Sequence, residues 1–333
     1  MCAEMRDDME YYEFVDEMAE KIKMCAEMRD DMEYYEFVDE MAEKIKMCFG
    51  KEVAVEVHKV IKNNSLEYDS LTIMETGKSI TPNFYLQNMY QKYIDGTGID
   101  SLVSEVVRIY EDSQRQNTYE NLSMEYEDCI EKIVMRLISL NKNKKLLEDM
   151  PYIRFLDMAV VFYCLVSNDE DGIASIRITN EVAKEWQTDT RELYTLALKN
   201  SERIFEEKIM PMSEVIGMFD VQLQEMGLKK PALKRECLYE PYVVTNNMGI
   251  NGASVILYQD IFKRLAEKIG GDFYILPSSI HEVLAMSAKA GLTKEELKNM
   301  VKEVNDNCLL PDEYLSDSVY RYNKTFNSLE IVA

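Results

Sequence analysis

Phe273–Met286, FYILPSSIHEVLAM, reads as a strand, a Pro-Ser-Ser turn and a second strand. Aromatic and β-branched residues fill the flanking apolar runs, and the residues between them suit a chain reversal. Set between a helical stretch at Ala253–Ile269 and another at Lys294–Asp306, this hairpin is the centre of an α+β reading. It also carries candidate chemistry. The chain has two histidines, and His281 stands beside Ser278, Ser279 and Glu282, the ingredients of nucleophilic hydrolysis. In an extended strand neighbours point to opposite faces while i and i+2 share one. Ser279 and His281 would then share a face and Glu282 would side with Leu284 and Met286, so any triad needs an acid from elsewhere. A Ser279–His281 dyad, with Ser278 as alternative nucleophile, is the candidate catalytic pair. The competing reading is a turn whose hydroxyls cap backbone groups beside a satisfied histidine. The chain holds neither a GxSxG elbow nor an HExxH zinc helix.

Upstream, Tyr242–Thr245 reads as a strand leading through NNMGINGAS into the Ala253–Ile269 helix. Gly249, Asn251, Gly252 and Ser254 are the second candidate site. Free N–H groups and a positive dipole end before a helix suit a phosphate or carboxylate. The GxxG spacing matches neither a dinucleotide nor a P-loop motif, and glycines there equally serve a tight turn. Downstream, Thr293 and Glu296 form a capping box for Lys294–Asp306, and Val319–Tyr322 with Ser328–Val332 close the chain as a hairpin.

Further out, Met158–Val166 and Ile173–Thr179 read as paired strands. Asn180–Trp186 reads as a helix capped by Asn180, and Asp189–Ser201 as a second with Leu193, Leu196 and Ala197 inward. Trp186, the one tryptophan, falls at their seam as a core or clasp residue. Pro211–Pro231 is helical and Met-rich, and Ile130–Ser139 is ambiguous between helix and strand. Glu52–Ile61 alternates as a half-buried strand carrying the surface residue His58, Asn63-Asn64 is a turn, and Leu66–Glu75 returns. Helices follow near Leu86–Ile94 and Ile99–Tyr110. The polar stretch Asp112–Ser123 divides the chain into a module at 24–115 and a domain at 124–333. The expectation is thus an N-terminal helix–hairpin–helix module followed by a mixed β-sheet flanked by helices.

Residues 1–23 recur unchanged as residues 24–46. Each copy holds eight acids and three bases, so the pair supplies −10 of the net charge of −23. Within a copy Met5, Met9, Tyr12, Ala19 and Ile22 trace one helical face. At about 100° per residue, 23 residues turn that stripe by about 140°, so one continuous helix cannot lay both copies on the same surface. The arithmetic predicts that 1–23 is a duplicate extension and that only the second copy docks.

Composition narrows the function. The negative charge opposes binding to nucleic acid or anionic lipid. No apolar run nears the roughly 18 residues of a membrane span, and the N-terminus lacks signal-peptide features. Seven scattered cysteines without a CxxC pair read as free thiols in a reducing cytosol, with no metal site expected. The expectation is a cytoplasmic protein without cofactor.

Several segments together resemble a bacterial family, the domain-of-unknown-function family 5688, over roughly Met32 to Val332. They are MEYYEFVDEM, VIKNNSLEYDSLTI, NKKLLEDMPYIRFLDMAVVFYCL, YVVTNNMGINGASVILY, DFYILPSSIHEVLAM and LSDSVYRYN. The order of elements over about Ile130–Met286 is also similar to the uncharacterised YtpQ-like family, which implies strands for Ile130–Ser139 and a hairpin at the Ser-His segment. Neither resemblance implies an activity, so no catalytic residue carries over. The expectation is a non-enzymatic binding or regulatory protein with a protein or small-molecule partner. The alternatives are a small-molecule or peptide hydrolase using Ser279 and His281, and an acidic decoy that mimics DNA.

Overall fold

Residues 34–48 form a helix, α1, because Phe37, Val38, Met41 and Ile45 recur at helical spacing and all four are buried. The computed structural model describes residues 34–49, 53–75, 83–115, 123–169, 172–225 and 239–333. The first repeat lies outside these. In the second, two of the stripe residues expected inside are so, Ile45 being buried and Ala42 packing on the core, whereas Tyr35 is 56% exposed and Phe37 and Met41 join the inner face instead. The chain divides into two compact units, Met1–Val60 with Glu67–Leu122, and Ile61–Leu66 with Ser123–Ala333.

In the first unit α1 is followed by β1 (Val53–Ile61), β2 (Glu67–Glu75), β3 (Asn83–Tyr85), α2 (Leu86–Ile94) and α3 (Ile99–Arg115). The strands form one sheet in the order β1-β2-β3, in which the short β3, just after Pro82, pairs antiparallel with β2. Leu71 and Ile73 of β2, Phe84, Leu86, Met89 and the α3 residues Leu102, Val106 and Tyr110 close a core with α1. Asp69, 8% exposed, accepts hydrogen bonds from Tyr34 Oη at 3.0 Å and Lys59 Nζ at 3.3 Å. Burial, then the Asp69 carboxylate, pushes the Tyr34 phenol above its usual pKa. His58 is exposed on β1, as expected.

The second unit contains α4 (Tyr126–Cys129), β4 (Ile133–Ser139), α5 (Lys144–Leu147), β5 (Tyr152–Phe155), β6 (Met158–Asp169), β7 (Gly172–Arg177), α6 (Asn180–Glu185) and α7 (Thr190–Ile204). Then come β8 (Glu207–Pro211), α8 (Met212–Glu225), β9 (Tyr242–Asn246), α9 (Ile261–Ile269), β10 (Phe273–Pro277), β11 (Val283–Ser287), α10 (Lys294–Asn307), β12 (Tyr320–Asn323) and β13 (Ser328–Ile331). The mixed sheet of the sequence reading is replaced by two sheets whose ladders are all antiparallel. One has six strands in the order β13-β12-β10-β11-β9-β8. In the other, β4 lies on one side of β6, while β5 and β7 pair with successive parts of β6. Tight turns join β5 to β6 and β10 to β11, which requires antiparallel neighbours.

One core joins the two sheets. Ile133, Met135 and Leu137 of β4 and Val160 and Phe162 of β6 pack with Leu193 and Ala197 of α7, Leu265 of α9, Phe273 and Ile275 of β10, and Tyr320 and Tyr322 of β12. Strand alternation puts Leu276 and Met286 on the other face of the six-stranded sheet, where Leu297 and Val301 of α10 cover them. The outer edge of β4 is closed by side chains. Its Met135 and Leu137 N–H groups donate to Ser201 Oγ at 3.1 Å and Ser254 Oγ at 3.0 Å, and Asn200 Nδ2 donates to the Ile133 carbonyl at 3.0 Å.

Two local expectations are corrected. The cap of α6 is Thr179, whose Oγ1 accepts from Val182 N, while Asn180 Nδ2 donates to the Glu148 carbonyl. The expected Ala253–Ile269 helix is split into a 3₁₀ segment, Gly252–Leu257, and α9, with Asp260 in the left-handed region at φ 56°. The break lets the buried Tyr258 hydroxyl donate to the carbonyls of Ser201 and Phe205. Strand β8, too short and too charged to show a period, was not legible. The capping box of α10 is present: Thr293 N donates to Glu296 Oε2 at 2.8 Å and Glu296 N to Thr293 Oγ1 at 3.2 Å. Among the described residues no helix is long and apolar enough to cross a membrane.

Candidate functional site

The hairpin forms as expected, with Pro277 opposite Val283. Residues 278–282 are therefore its turn, and the strand alternation that placed Ser279 and His281 on one face stops at Pro277. Ser278 N and Ser279 N both donate to the Glu282 carbonyl, at 3.3 and 3.1 Å. The buried Ser279 hydroxyl accepts from the His281 backbone N–H at 2.9 Å, a local serine turn. Ser278 Oγ donates to Glu282 Oε1 at 3.3 Å.

The His281 ring turns elsewhere. Its Nδ1 accepts from the Asn251 backbone N–H at 3.1 Å, which puts the ring proton on Nε2. Nε2 faces Glu313 Oε1 at 3.5 Å, and the Glu313 carbonyl accepts from Ile280 N at 2.8 Å. No hydrogen bond joins the ring to either serine hydroxyl among the described residues. An acid does come from elsewhere, as the sequence required, but the structure does not bring hydroxyl and imidazole together as nucleophile and base.

The second candidate proves to be the other half of the same place. Besides the Asn251 contact, Ala253 N donates to the Ile280 carbonyl and Thr245 Oγ1 to the His281 carbonyl, at 3.1 and 2.8 Å. Gly252 lies where no side chain fits: a Cβ would stand 2.1 Å from Thr245 Oγ1, 2.5 Å from the His281 carbonyl oxygen and 2.7 Å from Asn246 N. Its role is close backbone approach. Asn246 shapes the loop, with Oδ1 accepting from Met248 N and Nδ2 donating to the Ile250 carbonyl. Gly249 supplies a left-handed turn residue at φ 67°, and Ser254 is committed to β4. The N–H groups of Asn251, Ala253 and Ser254 thus have partners within the fold.

Two constellations escaped the sequence reading. Asp157, in the β5–β6 turn, accepts from Ser316 Oγ at 2.6 Å, Ser318 Oγ at 3.0 Å and Tyr320 Oη at 2.6 Å. Burial, then the Asp157 charge, raises the Tyr320 pKa. The signal was the i, i+2, i+4 spacing in LSDSVYRYN, which sets three hydroxyls on one side of an extended chain. The other is Arg136 of β4, whose guanidinium lies 4.0 Å from the centroid of the Tyr163 ring and donates to Ser175 Oγ at 2.5 Å. It borders a narrow crevice of about 10 Å³ that Val134, Ile173, Asn246, Asn251 and Tyr258 also line. A lone arginine inside the apolar run IVMRLIS was the available signal. Among the described residues no cluster of histidine, cysteine and carboxylate side chains could hold a metal ion.

The chain belongs to a family of unknown function (DUF5688), whose model matches residues 34–324. The match begins inside the second repeat and leaves the first outside. No curated protein and no solved structure matches the chain.

Proposed function

We propose that this member of the family is a non-enzymatic cytoplasmic binding or regulatory protein, with a protein or small molecule as its partner. The observation that carries the reading is the commitment of His281: Nδ1 is taken by the Asn251 N–H and Nε2 faces Glu313. A general base needs a free lone pair within reach of the hydroxyl it activates. Here the one lone pair belongs to a backbone group, and the Ser279 oxygen is spent on the chain itself.

Hydrolysis of p-nitrophenyl acetate and of a fluorogenic peptide, compared between the wild type and His281→Asn, tests this reading. Equal background rates are expected. Turnover that His281→Asn abolishes would overturn it in favour of the hydrolase. Affinity capture with and without residues 1–23 is expected to retain the same partner, because the family match and the described α1 both start beyond that repeat.

A further inference from the structure

Two arginines rise from one face of the four-stranded sheet with no acid among the described residues to answer them. Arg136 lies opposite Val161 on β6, and Arg177 of β7 opposite Tyr163. Val161 and Tyr163 are two apart on the same strand, so both arginines share its face. Arg177 Nη2 donates to the Ile61 carbonyl at 2.9 Å, while its Nε is buried without a partner. Burial lowers the Arg136 pKa, the Tyr163 phenol opposes that shift, and the positive charge of Arg177 adds a smaller lowering. Among the described residues neither forms an ion pair, whereas Arg203, Arg264 and Arg321 pair with Glu131, Glu207 and Asp272.

That arrangement is selective in a chain with 61 acids and 38 bases. An enclosed cation without a counter-charge is costly, and two like charges in one low-dielectric place repel. An anion from solution removes both costs, and the guanidinium fork matches the oxygens of phosphate and carboxylate groups. We propose that Arg136 and Arg177 hold a phosphate-type oxyanion against this face, with the Tyr163 ring under one guanidinium. The donors assigned to the anion are the Arg177 Nε–H, which has no partner in the fold, and the Arg136 N–H groups that Ser175 does not take, while the Ser175 hydroxyl, already accepting from Arg136, donates its own proton to the anion. The inference rests on the binding reading above and gives it a ligand class.

Inorganic phosphate titrated into the full chain at constant ionic strength, with chloride as the balancing anion, tests it by ³¹P line width and thermal unfolding. Saturable broadening and a rise in Tm are expected for the wild type. Loss of a charged hydrogen bond predicts about tenfold or greater weakening in Arg177→Gln and Arg136→Gln. Arg203→Gln, on α7, is expected to bind as the wild type does. If Arg136→Gln does not fold, Arg136→Lys keeps the charge without the fork and is expected to bind more weakly. Absence of saturable binding by the wild type, equal binding by Arg177→Gln, or tighter binding of acetate than of phosphate overturns the proposal. Phenyl phosphate binding tighter than phosphate supports it with a phosphomonoester as the source; weaker binding supports it with free phosphate. A failure here leaves the His281 comparison unaffected, so the two readings fall separately.

Discussion

The 278–282 turn and the arginine-bearing face of the four-stranded sheet use polar groups in opposite ways. In the turn, Ser278, Ser279 and His281 all find partners inside the fold, and the residue types that suggest catalysis are consumed in holding two loops together. On the sheet face, Arg136 and Arg177 keep donor capacity that the fold does not use, including a buried N–H without a partner. Residue type alone points to the turn. Hydrogen-bond accounting points to the arginines, because a buried N–H left unanswered carries a cost that a bound acceptor would remove.

Substitutions on either side should therefore differ in size and in sign. The largest effect is expected at Gly252, where an added methyl meets the Thr245 hydroxyl and the backbone of Asn246 and His281. Gly252→Ala should cost about 3 kcal/mol by urea unfolding, and a cost under about 1 kcal/mol would show that the loops are not tightly joined. Next comes Asp157→Ala, which strips the shared acceptor from Ser316, Ser318 and Tyr320 and is expected to cost about 2 kcal/mol. His281→Ala leaves the Asn251 N–H unanswered at a part-buried position and should cost about 1 kcal/mol, measured the same way. The smallest effect is at Arg177, with the opposite sign. Arg177→Met should leave stability unchanged or raise it by up to about 1 kcal/mol, since it removes an enclosed unpaired charge. A clear loss of stability there would erase the contrast and make Arg177 a structural clamp on the Ile61 carbonyl.

Much of the fold could be read locally. The β10–β11 and β6–β7 pairs and the capping box of α10 each depend on residues within a few positions of one another. The candidate site could not be read in this way. His281 is answered by Asn251, thirty positions earlier, and Asp157 by hydroxyls more than 150 positions later. Strand alternation also failed at the one place that mattered, because the turn begins at Ser278 and the period of two does not continue through it. The split at Tyr258–Asp260 was hidden for a related reason. The residues on either side keep an amphipathic pattern, and only the tertiary contact of the Tyr258 hydroxyl with α7 explains the break.

The serines on the edge of β4 have a consequence for how this protein meets its own copies. An open strand edge is a template on which a further strand, from the same or another chain, can grow. Ser201 and Ser254 accept the outward N–H groups of Met135 and Leu137 without extending the sheet, so recruitment of another strand must first displace two hydroxyls held by packed helical segments. The edge is closed by these two hydroxyls together with the helical segments that carry them. The double variant Ser201→Ala with Ser254→Ala would leave the Met135 and Leu137 N–H groups unanswered at that edge.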